Sequence, residues 1–172
     1  YTYALSMPNI YTTEEFENAF TYTGNALGLT YDKEAGEFTF KVWAPTAETV
    51  DVRIYDNGES TRYIDEFPMT KDVNGTWVTV LEGDWKGAYY TYRVNVNGEY
   101  VEACDPYART TGVNGKYAMV IDLDSTDPEG WENDVSPNSG MTYTDSIIYE
   151  LHVRDLSINE ESGIREEWRG KF

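Results

Sequence analysis

The sequence predicts an all-β sandwich, and three features of the chain support this fold class. Short runs of alternating apolar and polar residues recur, as strands with one buried face require. Four Asn-Gly pairs lie between or beside these runs, and both residues tolerate the positive φ of a type I′ hairpin turn. Aromatic residues make up 15% of the 172 residues, and such side chains suit pleated, half-buried surfaces.

The individual strands follow from their period of two. Phe38, Phe40 and Val42 alternate with polar or larger residues until Ala44-Pro45 ends the run. The most definite hairpin is centred on Asn97-Gly98, where a two-residue loop fixes the register of the flanking strands. Strands are predicted over residues 38–43, 50–54, 77–81, 90–96, 99–102 and 117–121.

Three other segments lack this alternation. Residues 13–20 predict a short helix with acidic residues in its first turn and Thr12 or Thr13 as its cap. Residues 122–145 combine Pro, Gly and many acids, which is typical of an irregular connector. The run Ile147–Val153 does not alternate cleanly, which predicts a strand buried on both faces, as in a parallel sheet.

Charge and residue content exclude several classes of function. With 31 acidic and 13 basic residues, the net charge of −18 repels phosphate backbones and anionic lipid surfaces, so neither nucleic acid nor a membrane is expected as a partner. The single cysteine, Cys104, cannot form an internal disulfide. The single histidine, His152, cannot by itself supply a zinc site or a Cys-His pair.

Several motifs resemble the front end of type I pullulanases, in the same order along the chain. They include Phe40–Ala47 (FKVWAPTA), Asp105–Gly115 (DPYARTTGVNG) and Ile148–Ser157 (IYELHVRDLS). The resemblance implies an immunoglobulin-like β-sandwich of carbohydrate-binding module family 48. It also implies that Ile147–Val153 is the first strand of a glycoside hydrolase family 13 (β/α)8 barrel, left as an orphan strand after a linker.

The resemblance and the residue patterns together divide the chain into four regions. We expect an N-terminal extension with a short helix, the immunoglobulin-like sandwich, a linker, and a truncated start of the catalytic domain. These regions cover residues 1–25, 26–123, 124–145 and 146–172, respectively.

The function implied by the resemblance is that of a non-catalytic module in a starch- and pullulan-debranching α-1,6-glucosidase, docked against the missing catalytic barrel. The alternatives are an autonomous α-glucan-binding module and part of an isoamylase-like enzyme. Because the family's catalytic motifs are missing, we do not expect this chain to be active alone. The resemblance also implies a bacterial extracellular or cell-surface location, no cofactor in this chain, and calcium only in the missing catalytic domain.

Glucan contacts are also implied by the resemblance. Relatives that bind glycogen carry a stacking aromatic residue, a basic residue and a polar contact, which correspond here to Tyr100, Arg93 and Asn114. Binding is expected to be weak or absent, because residues 56–59 lack the second aromatic residue of those relatives. Alternatively, Tyr100 only covers its hairpin.

Two further candidate sites are Trp85 and the acidic residues of 122–129. Trp85 lies in a polar stretch, so we expect it to be more exposed than Trp43 or Trp77 and a second candidate for a sugar contact. The acidic residues of 122–129 have a spacing that suits calcium, but linkers are often acidic, and the EF-hand pattern is missing. We therefore predict no metal site there. The acids concerned are Asp122, Asp124, Asp127 and Glu129.

Overall fold

The computed structural model describes residues 9–171, which form two compact units divided between Asp127 and Pro128. The first eight residues of the predicted N-terminal extension lie outside the described residues. Within the described range, no helix combines the length and the apolar character needed to cross a bilayer.

Two antiparallel sheets form the first unit, which confirms the predicted sandwich. One sheet has the strand order β1-β2-β6-β5, and the other has the order β4-β3-β7-β8, with β9 beside β7. We call them the first and the second sheet. The strands are β1 (Gly28–Asp32), β2 (Glu37–Trp43), β3 (Thr49–Tyr55), β4 (Asp65–Pro68), β5 (Thr70–Lys71), β6 (Thr76–Glu82), β7 (Tyr89–Val96), β8 (Glu99–Ala103) and β9 (Ala118–Met119).

The core lies between the sheets and is built from the alternating apolar positions of the strands. Phe38 and Phe40 of β2 are fully buried, as are Val52 and Ile54 of β3. The ring of Phe40 meets the ring of Tyr90 edge to face, with the centroids 5.0 Å apart, so aromatic packing connects the two sheets. The period of two therefore identified the buried face of each of these strands.

The predicted hairpin at Asn97-Gly98 is also confirmed. Val96 pairs with Glu99, and φ is 53° at Asn97 and 81° at Gly98, as a type I′ turn requires. The pair at Asn57-Gly58 behaves differently. There the side-chain oxygen of Asn57 accepts a hydrogen bond from the backbone of Glu59 at 3.0 Å, and neither residue of the pair has a positive φ.

Helix α1 (Glu14–Phe20) confirms the predicted capped helix. The side chain of Thr13 accepts a hydrogen bond from the backbone N–H of Phe16 at 3.2 Å, which satisfies one of the free donors of the first turn. Three glutamates in that turn interact favourably with the helix dipole. The rings of Phe16 and Phe20 lie 4.8 Å apart on the same face of the helix.

The Asp-Pro-Tyr motif that follows β8 has a structural role. Asp105 is only 3% exposed, and its carboxylate accepts hydrogen bonds from the Tyr90 hydroxyl at 2.7 Å and from the Tyr107 backbone at 2.8 Å. Burial raises the pKa of Asp105, although these hydrogen bonds lower it in part. The carboxylate thereby fixes the segment after β8 to the core.

The second unit departs from the strand predicted at Ile147–Val153. No strand is present in this segment, whose residues Ile147, Ile148 and Tyr149 are 83%, 88% and 86% exposed, and helix α2 (Val153–Ser157) begins at its end. A parallel strand is stabilised by hydrogen bonds to neighbouring strands, and the described residues of the second unit contain no strand with which it could pair. The apolar pattern therefore did not predict the local structure of this segment.

Within the second unit, residues 153–170 are closed into a loop by the buried Ser157. The hydroxyl of Ser157 donates to the carbonyl oxygen of Val153 at 2.8 Å and accepts from the backbone of Gly170 at 2.9 Å. The side chain of Arg169 donates to two backbone carbonyls within the same loop. These bonds order the mainly polar segment that follows helix α2.

Candidate functional site

The candidate site lies on the second sheet, on the side that faces away from the core. We call this surface the outer face. Residues of β3, β4, β7 and β8 contribute to it because alternate side chains of each strand point away from the buried ones. The outer face consists of Asp51, Arg53, Tyr63, Glu66, Thr91, Arg93, Tyr100 and Glu102.

Two arginines and three carboxylates form a continuous ionic network across the outer face. Arg53 donates from Nε to Glu66 at 2.5 Å and from a terminal nitrogen to Glu102 at 2.6 Å. A terminal nitrogen of Arg93 lies 3.7 Å from Asp51 and 3.7 Å from the other oxygen of Glu66. Glu66 therefore contacts both arginines and links the two halves of the network.

Each arginine also lies against the ring of an exposed tyrosine. The guanidinium carbon of Arg53 is 4.4 Å from the ring centroid of Tyr63, and that of Arg93 is 3.8 Å from the ring centroid of Tyr100. These are favourable cation–π distances. Tyr63 and Tyr100 remain 45% and 53% exposed, so each ring is held in place and still offers surface to solvent.

Glu102 lies beside the exposed ring of Tyr100 and is held by three donors. Burial disfavours its charge, but hydrogen bonds from Tyr55, Thr91 and Arg53 outweigh this effect and lower the pKa of Glu102 below its ordinary value. Thr91 donates at 2.7 Å. Burial, together with the bond to Glu102, raises the pKa of Tyr55 to about 12. Glu102 is thus an ionised acceptor within the network.

The structure brings two of the four sequence-predicted site residues together. Arg93 pairs with Glu102 and Tyr100 pairs with Asn95, so Arg93 and Tyr100 are diagonal neighbours on one face of the β7–β8 hairpin. Asn114 lies in a separate turn with a φ of 57°, and the hydrogen bonds found among residues 9–171 include none from its side chain. The glucan-binding roles of Arg93, Tyr100 and Asn114 remain predictions.

The expectation that Trp85 is more exposed than Trp43 and Trp77 is wrong for Trp43 and correct for Trp77, which is 5% exposed. Trp85 is half-buried, its indole N–H donates to the carbonyl of Glu82 at 3.0 Å, and its ring packs edge-on against Phe67 with the centroids 5.7 Å apart. Trp43 is 39% exposed. The polar sequence around Trp85 did not reveal that its ring folds back onto the sandwich.

Sequence reasoning missed Tyr63 as a member of the site. Residues 56–59 contain no aromatic side chain, whereas Tyr63 lies a few residues further along the same loop between β3 and β4. The aromatic residue itself is visible in the sequence of this loop. Its position against Arg53 could not be read from the sequence, because loop conformation decides it.

The acidic residues after β9 are partly neutralised by a lysine rather than gathered for a cation. Nζ of Lys33 lies 3.2 Å from Asp122 and 2.8 Å from Asp124. In the part of the chain that the structure describes, no group of three or more His, Cys, Asp or Glu side chains is arranged to hold a metal ion.

Comparison with known proteins relates this fold to one family. Residues 26–108 match the family carbohydrate-binding module 48 (isoamylase N-terminal domain). The chain is 34% identical to a pullulanase of Klebsiella pneumoniae over 98% of its own length and 16% of that protein. It is 37% identical to chloroplastic pullulanase 1 of Arabidopsis thaliana over 91% of its length and 17% of that protein.

Solved structures give the same relationship. A crystal structure of the pullulanase of Paenibacillus barengoltzii in complex with maltohexaose and α-cyclodextrin is 45% identical, with a TM-score of 0.78, over 93% of this chain and 24% of that one. The pullulanase of Bacillus acidopullulyticus is 39% identical, with a TM-score of 0.74, over 89% of this chain and 18% of that one. The immunoglobulin-like sandwich is therefore confirmed. Residues 26–108 belong to the carbohydrate-binding module 48 family, and the chain as a whole is similar to a part of pullulanases that makes up less than a quarter of their length.

Proposed function

We propose that this chain is the non-catalytic supporting module of a pullulanase that hydrolyses α-1,6 branch links, and that it docks against the catalytic barrel. The observation that carries the proposal is the exposed, mostly apolar run Ile147–Leu151, part of the segment that resembles the first barrel strand and through which the module would join the barrel; its residue Ile148 is 88% exposed. Contiguous exposed apolar surface of this kind marks an interaction site. The pullulanases reported above, each far longer than this chain, favour that parent enzyme over the isoamylase-like alternative.

Catalysis would have to come from the rest of the enzyme. Retaining glycoside hydrolysis requires two carboxylates about 5 Å apart across the scissile bond. In this chain the acidic residues of the outer face are paired with arginines rather than left free as acid and nucleophile. A (β/α)8 barrel, on which such residues would stand, takes about 250 residues.

A chimeric enzyme tests the supporting role. The matching segment of the Paenibacillus barengoltzii pullulanase is replaced by this chain, and release of reducing sugar from pullulan is measured. We expect the chimera to be active and the isolated chain to be inactive. Ile148→Asp should lower both the activity and the melting temperature of the chimera, because it places a charge in the proposed interface. The matched control is Val135→Asp, at a residue 74% exposed in the connector.

Two results would contradict the proposal. One is reducing-sugar release by the isolated chain, which would make it a catalyst. The other is an equal response of the chimera to Ile148→Asp and Val135→Asp, which would mean that the apolar run meets no partner.

The second candidate function is α-glucan binding by the outer face. It is favoured by the two exposed tyrosine rings, each held against an arginine. Flat aromatic surfaces with polar groups nearby suit the apolar faces of sugar rings. Titration calorimetry with maltoheptaose tests this function. Tyr100→Ala should weaken binding about fivefold, whereas Tyr11→Ala, at an exposed tyrosine near helix α1, should not. No heat and no shift in melting temperature would eliminate this function.

The proposed location is extracellular or at the surface of a bacterial cell. Large branched glucans are met there, and this expectation follows from the size of the proposed substrate. Fractionation of the source cells, followed by detection of the protein, tests it. Recovery only from the cytoplasm would contradict the proposal.

A further inference from the structure

We propose that Glu66 is a positioning residue that couples Tyr63 to Tyr100, so that the two rings act as one prearranged platform for an α-glucan chain. The ligand in this inference rests on the glucan binding proposed above. The coupling rests on the geometry of the ionic network alone.

Arg93 contacts both the ring of Tyr100 and two carboxylates of the network. Its guanidinium carbon lies 3.8 Å from the ring centroid of Tyr100, a favourable cation–π distance. The same guanidinium approaches Asp51 and Glu66 through one terminal nitrogen. Arg93 therefore connects the ring of Tyr100 to two carboxylates of the network.

Arg53 likewise contacts both the ring of Tyr63 and two carboxylates. Its guanidinium is 4.4 Å from the ring centroid of Tyr63, and its nitrogens donate to Glu66 and Glu102. The side chain of Arg53 is only 18% exposed, so the ring and the carboxylates restrict a long side chain that is otherwise flexible. Each tyrosine ring thus lies within cation–π distance of a guanidinium that is also paired with two carboxylates.

Glu66 links the Arg53–Tyr63 pair to the Arg93–Tyr100 pair. Its Oε2 accepts from Arg53, while its Oε1 lies 3.7 Å from Arg93. The side chain of Glu66 is 27% exposed, so solvent screens these contacts only in part. A rigid two-ring platform loses less conformational freedom when a glucan binds than two independent rings would. Glu66 therefore acts on affinity without touching the ligand.

The first test uses the free protein. Ring resonances of 13C-labelled tyrosine are recorded for the wild-type chain and for Glu66→Gln, with assignments from Tyr63→Phe and Tyr100→Phe. We expect the signals of both rings to shift in Glu66→Gln, because the substitution removes the charge shared by the two arginines. The control is Glu59→Gln, at an exposed glutamate in the loop before Tyr63, which should leave Tyr100 unchanged. A response of Tyr63 alone, or of neither ring, would overturn the coupling.

The second test measures affinity as a function of salt. Maltoheptaose is neutral, so any salt dependence of its affinity must come from charges within the protein. We expect Glu66→Gln to bind about threefold more weakly than the wild type at low ionic strength. Added NaCl should weaken the wild type and reduce this difference. An affinity of Glu66→Gln equal to that of the wild type at low salt would overturn the positioning role.

The two tests distinguish a failure of the proposed glucan binding from a failure of the proposed coupling through Glu66. A wild-type chain that gives no heat with maltoheptaose would overturn glucan binding, and with it the proposed ligand of the platform. The ring resonances would still decide whether Glu66 couples Tyr63 to Tyr100, since that measurement needs no ligand.

Discussion

The indole N–H of Trp43 donates a hydrogen bond to the backbone carbonyl of Phe20 at 2.8 Å, which joins the end of β2 to the end of α1. The carbonyls of the last helical turn have no partner within a helix. Trp43 satisfies one of them, and the side chain of Asn74 donates to that of Ala19 at 3.4 Å. The N-terminal helix is therefore attached to the sandwich by specific bonds as well as by apolar contact.

This attachment predicts the effect of Trp43→Phe. The substitution keeps an aromatic ring but removes the N–H donor, so the free energy of unfolding should fall by about 1 kcal/mol. Amide exchange should become faster in helix α1 than in the strands. Hydrogen exchange and thermal melting provide the measurements. Trp131→Phe, at a residue 54% exposed in the second unit, is the control and should change neither. Unchanged exchange in α1 would contradict the attachment.

Phe40→Ala should be strongly destabilising. Phe40 is fully buried and its ring contacts the ring of Tyr90 across the two sheets, so the substitution leaves a cavity at the centre of the sandwich. A loss of about 3–5 kcal/mol in the free energy of unfolding is expected. Urea denaturation measures this loss. Leu123→Ala, at a residue 42% exposed, should cost less than about 0.5 kcal/mol. Similar losses for the two variants would show that the core lies elsewhere.

Gly98 and Gly75 differ in what an added side chain would cost: backbone strain alone at Gly98, and strain together with steric overlap at Gly75. Gly98 has a φ of 81° and no atom within 4 Å of an added Cβ, so Gly98→Ala should cost only the strain of that backbone conformation, about 1 kcal/mol. Gly75 has a φ of 77°, and an added Cβ would lie 2.6 Å from Cβ of Pro45 and 2.9 Å from the ring of Phe20.

Gly75→Ala should therefore be clearly more destabilising than Gly98→Ala, because it combines the same strain with displacement of helix α1. Thermal and urea denaturation of both variants give the comparison. Glu99→Ala, at an exposed strand residue beside the same hairpin, serves as the control for Gly98. Equal losses at the two glycines would contradict the close contact between Gly75 and α1.

The lowered pKa of Glu102 predicts a pH dependence of stability. Below the ordinary value of 4.5, the unfolded chain binds more protons at this carboxyl than the folded chain does. The stabilisation by Glu102 is therefore fully present above about pH 4.5 and is lost as the pH falls through the lower pKa of the folded state.

Glu102→Gln should reduce stability at pH 7 by about 1–2 kcal/mol, since Arg53, Tyr55 and Thr91 lose a charged acceptor. The difference from the wild type should shrink as the pH is lowered from 5 to 3, a range about the ordinary carboxyl pKa. Urea denaturation across this range measures it. Glu99→Gln, at an exposed glutamate on the same strand, should follow the wild type throughout. A constant difference between Glu102→Gln and the wild type would contradict the linkage.

The candidate site could be predicted only in part. The positions of Arg93 and Tyr100 on one hairpin follow from the Asn97-Gly98 turn, because a two-residue loop fixes which side chains share a face. Tyr63 and Glu66 come from a loop and a short strand on the far side of β3. No local pattern indicates that these residues meet Arg53 and Arg93, because those contacts depend on how β4 pairs with β3.

The sequence by itself determined the sandwich, its buried positions, the hairpin at Asn97-Gly98 and the cap of α1, because each depends on contacts between residues close along the chain or on a strand's period of two. Tertiary structure alone decided that Trp85 folds onto Phe67 and that Ile147–Val153 forms no strand in this chain. It alone decided that Glu66 joins two arginines. These outcomes depend on long-range packing and on strand partners, and neither is encoded in the local order of residues.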